Sequence, residues 1–306
     1  MVSTDVLVVG AGPAGLTTGI YASRFGHRVI ILEKSFAGGQ LAMTSEVENY
    51  PGFAEPVSGL LLAETMQLQA VRFGCQMVNA EATAVTAGQH GFAVTTPVDR
   101  IAAQVLVICT GAKPRKLNVP GEAELIGRGV SYCAVCDGPL FKGREVAVVG
   151  GGDSALDEAL YLSNICARVH MIHRRDEFRG CKMAEARLRQ RENVVFHLST
   201  VIESVNGTDR IESLQLRDLK DDSRRRLAVN GLFIYVGWLP NTGWCSGFVR
   251  LDGDGAVIAD ERLRTSVTGV FAAGDVRNTP LRQVATAVGD GALAAMMAHD
   301  FLSGRR

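Results

Sequence analysis

The chain carries one local pattern twice, 140 residues apart, and that repetition limits its fold more than any other feature. In the first copy Asp5 to Gly10, DVLVVG, is an apolar β-branched run that stops at glycine, and AGPAGLTTGIYASRFG then has helical apolar spacing until Gly26. A second short strand, HRVIIL from His27 to Leu32, completes a β-α-β unit. The second copy reads EVAVVG from Glu145 to Gly150, then GGDSALDEALYLSNICA, then RVHMI from Arg168 to Ile172. A repeat at this period predicts two copies of a domain, not a solenoid. A length of 306 residues suits two domains of ordinary size.

Between the copies lie an amphipathic stretch from Pro56 to Phe73, strand-like alternation from Phe92 to Thr96, and the apolar run VLVICTGAKP, which contains Gly111. After the second copy come strand-like stretches from Val194 to Val236, then GWLPN, TSVTGVFAAGD and an Ala-rich helix from Gln283 to Leu302. No low-complexity linker separates these parts, so the domain joins are expected as short crossings near Lys113 to Gly121 and near Asn241. Lys plus Arg and Asp plus Glu both stand at 32, which gives no global field for nucleic acid or an anionic membrane. No apolar run approaches the roughly 18 residues of a membrane span, and the N-terminus lacks a basic leader region. Seven cysteines, an odd number, argue against a disulfide framework and for a reducing, cytoplasmic setting.

The two glycine turns differ at the residue that would meet a ribose. Gly10, Gly12 and Gly15 follow the first strand and open the first helix, where backbone can approach a pyrophosphate facing a helix N-terminus. Glu33, 23 residues beyond Gly10, ends the second strand and is placed to bond both hydroxyls of an unphosphorylated adenosine ribose. The second copy has Gly150, Gly152 and Ala155, but at the matching offset it reads HRRDEFR, with His173, Arg174, Arg175 and Arg179. Guanidinium forks attract a ribose 2′-phosphate that a carboxylate repels, so this site is expected to prefer NADPH over NADH. An NADPH site beside a different dinucleotide site points to FAD as the other ligand, the acceptor for the hydride. Gly274 and Asp275, between a strand and a helix, are expected against ribityl or phosphate oxygens.

The remaining motif is SYCAVCDG, with Cys133 and Cys136 two residues apart and Asp137 adjacent. Such a pair can cycle between dithiol and disulfide, and Asp137 can move the proton or cap a helix. Zinc is the rival ligand, but it needs two further ligands at comparable spacing, and Cys75, Cys109, Cys166, Cys181 and Cys245 stand isolated. No metal is therefore expected.

Over nearly its whole length the chain resembles the low-molecular-weight bacterial thioredoxin reductases. The stretches that carry the resemblance are GAGPAGL, GGQL, EVENYPGF, CAVCDG, GGGDSALDEALYLSN, HRRDEFR, GVFAAGDV and RQVATAVGDG. The resemblance implies an α/β fold of two Rossmann-like three-layer dinucleotide-binding domains. The FAD domain would be residues 1–115 and 245–306, interrupted by an NADPH domain, 116–244, that carries the cysteines. It implies a homodimer that passes electrons from NADPH through FAD and the cysteine pair to thioredoxin. Cys136 would face the flavin, Cys133 attack the partner disulfide, and Asp137 handle protons. FAD contacts carry over to Gly12, Pro13, Ala14, Glu33, Gly39, Gln40, Asn49, Asp275, Arg282 and Gln283, and NADPH contacts to Gly152, Asp153, Ser154, His173, Arg174, Arg175 and Arg179.

The chain departs from the family pattern at Val135, where a hydroxyl residue is usual, and at Pro139 and Leu281, where aromatics are usual. These departures bear on redox tuning and docking. Three relatives of the same fold stay open: a reductase of another disulfide protein, one drawing on ferredoxin, and a dithiol oxidase. A redox-sensing flavoprotein without turnover is the alternative of another class. Trp238 and Trp244, flanking the second crossing, are read as packing residues.

Overall fold

Strand β1 (Val2–Val9) divides its side chains between two cores, Val6 and Val8 on one face and Leu7 and Val9 on the other. That is the period of two imposed on a strand covered on both faces. The computed structural model describes residues 2–44, 46–88 and 91–304, with all of their side chains except those of Val135 and Cys136. Helix α1 (Pro13–Arg24) begins on a proline, whose missing N–H would have no partner in the first turn, and it packs on the Val6 and Val8 face. Strand β2 (Val29–Glu33) pairs parallel with β1, starting two residues later than the HRVIIL run suggests. Helix α2 (Gly59–Arg72), with Ser58 accepting the Leu61 N–H, covers the same core. β3 (Gln76–Asn79), β4 (Ala84–Gly88), β5 (Gly91–Thr95) and β6 (Arg100–Ile108) complete the sheet order β3-β2-β1-β6-β5-β4. Its β3-β2-β1-β6 half is parallel, while β5 and β4 add an antiparallel edge.

The chain leaves through β7 (Ala112–Pro114) into a second unit. There β8 (Val130–Ser131), the short helix α3 (Ala134–Asp137), β9 (Glu145–Gly150), α4 (Asp153–Ile165), β10 (Arg168–Ile172), α5 (Lys182–Arg189) and β11 (Val194–His197) follow. β12 (Thr200–Asn206), β13 (Ser213–Asp218) and β14 (Arg224–Ala228) form an antiparallel sheet of their own, and β15 (Gly231–Tyr235) returns to the parallel sheet β11-β10-β9-β15-β8, between β9 and β8. In β9, Val146 and Val148 face the helices, and Ala147 and Val149 face the core under the antiparallel sheet.

β16 (Trp238–Pro240) then pairs with β7, so the exit and return of the chain run side by side. β17 (Val270–Ala272) adds to β6, and α6 (Val284–Leu302) lies against α1 through Gly291, where a Cβ would collide with the Ala14 carbonyl. The first unit comprises residues 1–113 and 239–306, the second 114–238. The second crossing thus falls close to Asn241, as the sequence suggests, and ahead of the domain bound at 245 that the resemblance implies. The reason is local: Asn241 donates its N–H to Gly111 O at 2.9 Å and accepts from Thr110 Oγ1 at 2.7 Å, and Trp244 packs on the Leu7 and Val9 core. No helix among the described residues is long and apolar enough to cross a membrane.

Candidate functional site

In the first unit the turn after β1 is built so that backbone lies bare. Gly10 adopts a φ of 106°, and a side chain there would run into the Cys109 carbonyl. Gly12, the N-cap of α1, has an ordinary φ of -71° and nothing within 4 Å of where a Cβ would stand. The fold therefore has no internal use for that missing side chain. The space suits a group approaching the N–H end of α1, which has no acidic residue in its first turn.

Glu33 arrives at the end of β2; its Oε2 accepts the Ala11 N–H at 2.8 Å and its Oε1 the Ser35 N–H at 3.0 Å. The carboxylate is thereby fixed on the wall of a cavity of about 270 Å³ with Gly10, Lys34, Thr110 and Trp244. Trp244 presents an indole N–H that is buried without a hydrogen-bond partner among the described residues. A cavity of this size with a fixed carboxylate on its wall fits an adenosine-sized occupant.

The other residues expected at this site gather round the same turn. Gly39 sits 3.6 Å from Gly12 Cα, counted from its own Cβ position, and Gly38 donates its N–H to Ala11 O at 2.7 Å. Gln40 Nε2 reaches Ala112 O at 3.4 Å, and Asn49 Nδ2 donates to Gln283 Oε1 at 3.0 Å, where Gln283 caps α6. Gly274 lies over Ala14 and donates its N–H to Asp290, which is also paired with Arg277 at 2.6 Å. Asp290 and Arg277 are site-shaping residues that the sequence reading passed over, although Asp290 lies in the quoted RQVATAVGDG stretch. Burial pushes the Asp275 carboxyl up to about 6, with Arg282 pulling it down and Asp290 pushing it up. A buried carboxyl of this kind gains from a hydroxyl donor, as a ribityl chain offers.

The second unit repeats the turn with different chemistry. A side chain at Gly150 would strike the Tyr235 carbonyl, while Gly152, the N-cap of α4, again faces open space. Gly180, unremarked in sequence, presses on Gly152 and Asp153, and its N–H with that of Arg179 donates to Gly151 O. Asp153 is partly committed, accepting the Cys181 N–H at 2.7 Å, and Ser154 is exposed in the first turn of α4.

Arg174, Arg175 and Arg179 stand exposed, with no ion pair among the described residues. His173 is different in kind. Its ring is buried, stacks on Phe178 at 5.2 Å, fills the space above Gly151 and meets the Glu177 carbonyl at 3.1 Å through Nε2. Burial, then the three nearby guanidinium groups, hold it below the usual imidazole range. The ring packs beneath the loop that carries the three arginines.

The redox motif also lies in this unit. Cys133 is held in a disulfide, and Cys75, Cys109, Cys166, Cys181 and Cys245 are free. The orientation expected of Cys136 concerns a side chain outside those described. Ser131, at the end of β8, accepts the Cys133 N–H at 3.0 Å and donates to Asp137 Oδ2 at 2.6 Å, so one hydroxyl ties both ends of the motif. Next to Cys133, the Tyr132 hydroxyl donates to buried Glu122 at 2.6 Å, and Glu122 also accepts the Leu117 and Asn118 N–H groups. Tyr235 meets the motif from β15, accepting the Ala134 N–H at 2.8 Å. Ser131 opens the quoted SYCAVCDG stretch without its role showing there, and Glu122 and Tyr235 lie outside the stretch altogether, so motif reading passes over all three. Pro139 and Leu140 are exposed beside the motif. Among the described residues no group of three His, Cys, Asp or Glu side chains could hold a metal.

Comparison with known proteins agrees with this layout. A family model described as pyridine nucleotide-disulphide oxidoreductase matches residues 4–291. The thioredoxin reductase of Treponema pallidum is 43% identical over 97% of this chain and 97% of its own. That of Listeria innocua is 42% identical over 97% of this chain and 93% of its own. The solved thioredoxin reductase of Lactococcus lactis, 38% identical, superposes with a TM-score of 0.96 over 98% of this chain and 99% of that one. With bare glycine turns in both units and a disulfide beside the second, the chain belongs to the pyridine nucleotide-disulphide oxidoreductase family.

Proposed function

We infer that the protein is an NADPH-dependent thioredoxin reductase, a flavoprotein that passes electrons from NADPH via FAD and the Cys133 to Cys136 disulfide to oxidised thioredoxin. The observation that carries this reading is the pairing, within one unit, of a disulfide at Cys133 with three unpaired guanidinium groups beside a bare glycine turn. Bound, the two dinucleotides would supply the hydride transfer that no side chain of this chain can provide.

Around them, Gly10, Gly12, Pro13, Ala14, Gly15 and Gly111 would give FAD a bare backbone approach, and Glu33 would hold its adenosine ribose. Gly39, Gln40, Asn49, Gly274, Asp275, Arg282 and Gln283 would surround the rest. Gly150, Gly152, Asp153 and Ser154 would admit the pyrophosphate of NADPH, and Arg174, Arg175 and Arg179 would take its 2′-phosphate, with His173 beneath them.

In the disulfide exchange the Cys133 thiolate attacks a sulfur of the partner disulfide, forming a mixed disulfide and releasing one partner thiolate. Attack by Cys136 on Cys133 then re-forms this chain's disulfide and releases the second. Two electrons and two protons pass to the partner, and Asp137, held by Ser131, is placed to move a proton. The exposed side chains Leu60, Leu61, Leu68 and Val71 on α2 suit burial against a second copy, which supports a homodimer; light scattering measures it. A cytoplasmic setting follows from the reducing partner and the five free cysteines.

The solved relatives include a ferredoxin-flavin thioredoxin reductase of Clostridium acetobutylicum, 28% identical with a TM-score of 0.54. The free arginines favour NADPH as donor here. Anaerobic stopped-flow absorbance tests the reading. NADPH is expected to bleach the flavin band and thioredoxin to restore it, whereas a band indifferent to NADPH overturns the reading.

A further inference from the structure

The backbone N–H of Ala134, adjacent to Cys133 and first in α3, donates to Tyr235 Oη at 2.8 Å. Ala134 is fully buried, so this N–H has no water to replace the phenol. Tyr235 ends β15, a strand set between β9 and β8 whose Leu232, Phe233 and Ile234 are buried. The hydroxyl is thus delivered from a buried strand that is paired on both sides. Behind it lies Glu158 of α4, with one carboxyl oxygen buried and unpartnered among the described residues. Burial, then the neighbouring Asp157, pushes that carboxyl up to about 7. Burial, then the carboxyls of Glu158 and Asp137, also pushes the Tyr235 phenol upward, so it stays protonated and its oxygen stays an acceptor. Neither nucleotide turn needs this hydroxyl, and Asp137 is already held by Ser131.

We propose that Tyr235 is a positioning residue for the redox motif, its hydroxyl holding the dithiol form in the shape from which the disulfide re-forms. The proposal rests on the reading of the chain as a disulfide reductase. Reducing the disulfide opens a four-residue ring and lets the segment between the cysteines spread over more conformations. A segment already pinned at Ala134 gains less freedom on opening and loses less on closing. The pinned dithiol therefore gives its two electrons and two protons to a partner disulfide more readily than a loose one.

The test is the equilibrium of the holoenzyme disulfide with dithiothreitol, in which one dithiothreitol closes its own ring as the enzyme disulfide takes up two electrons and two protons. Anaerobic samples at fixed ratios of reduced to oxidised dithiothreitol are quenched by alkylation, and the Cys133 peptide is weighed by mass spectrometry. Tyr235→Phe removes only the hydroxyl. It is expected to raise the reduction equilibrium constant about threefold to tenfold, the size of one net hydrogen bond, and to slow thioredoxin turnover. Tyr235→Met also lacks the hydroxyl but packs adaptably, and should give the same shift. Flavin content and bleaching by NADPH verify that each variant is assembled. Constants within twofold of the wild type in both variants overturn the proposal while thioredoxin turnover by the wild type stands; loss of that turnover in the wild type overturns the functional reading instead.

Discussion

In the proposed reading Gly12 and the arginine cluster would recognise phosphate by opposite means, one through absence of a side chain and the other through charge. Because Gly12 has an ordinary φ and open space around its Cβ position, Gly12→Val should fold and still obstruct the pyrophosphate. Isothermal titration of the flavin-stripped protein should show FAD affinity reduced about tenfold to a hundredfold, the worth of one or two charge-assisted hydrogen bonds. In the second unit, Arg174→Ala with Arg175→Ala should raise the NADPH KM by a comparable factor and leave that for NADH nearly unchanged. Equal losses with both cofactors would show that the cluster does not read the 2′-phosphate. His173 illustrates where residue-type reasoning stops. A histidine in a cationic run reads as a ligand, but its ring is buried against Gly151 and Phe178.

At the scale of elements, α1, α4 and their flanking strands were legible because local signals agree: β-branched runs, glycine at the turn, helical spacing after it. The three strands β12 to β14 were legible only as a strand-rich stretch, since their pairing depends on contacts distant in sequence. Nor did any local signal announce the polar chain that crosses β9, β10 and β11. There Glu145 meets His170 at 3.3 Å, His170 meets His197 at 3.0 Å, and Arg225 of β14 donates to His197 Nδ1 at 3.0 Å. Burial, then His170 and Arg225, lowers His197 to about 4 from the usual 6.5. A histidine depressed in the folded state binds its proton more tightly when unfolded, so its contribution is complete above about 6.5 and is lost as pH falls toward 4. The thermal midpoint should therefore drop across that window. His197→Gln should reduce the accompanying loss of unfolding free energy by on the order of 1 kcal/mol, the shift being discounted for the solvent that still reaches the ring.

On the scale of the whole molecule, the duplicated β-α-β pattern was readable because each copy carries its own glycine turn, whereas the interruption of one domain by the other came only with the family resemblance. The second crossing was legible near Asn241, but a domain bound drawn at Cys245 falls a few residues late, because the residues from Asn241 to Trp244 are claimed by hydrogen bonds and packing from far earlier in the chain. That crossing has a wider consequence. Since β7 and β16 lie side by side, the inserted unit begins and ends at neighbouring points. A unit whose two ends adjoin can be carried as a single insert with no strand of the host sheet rerouted.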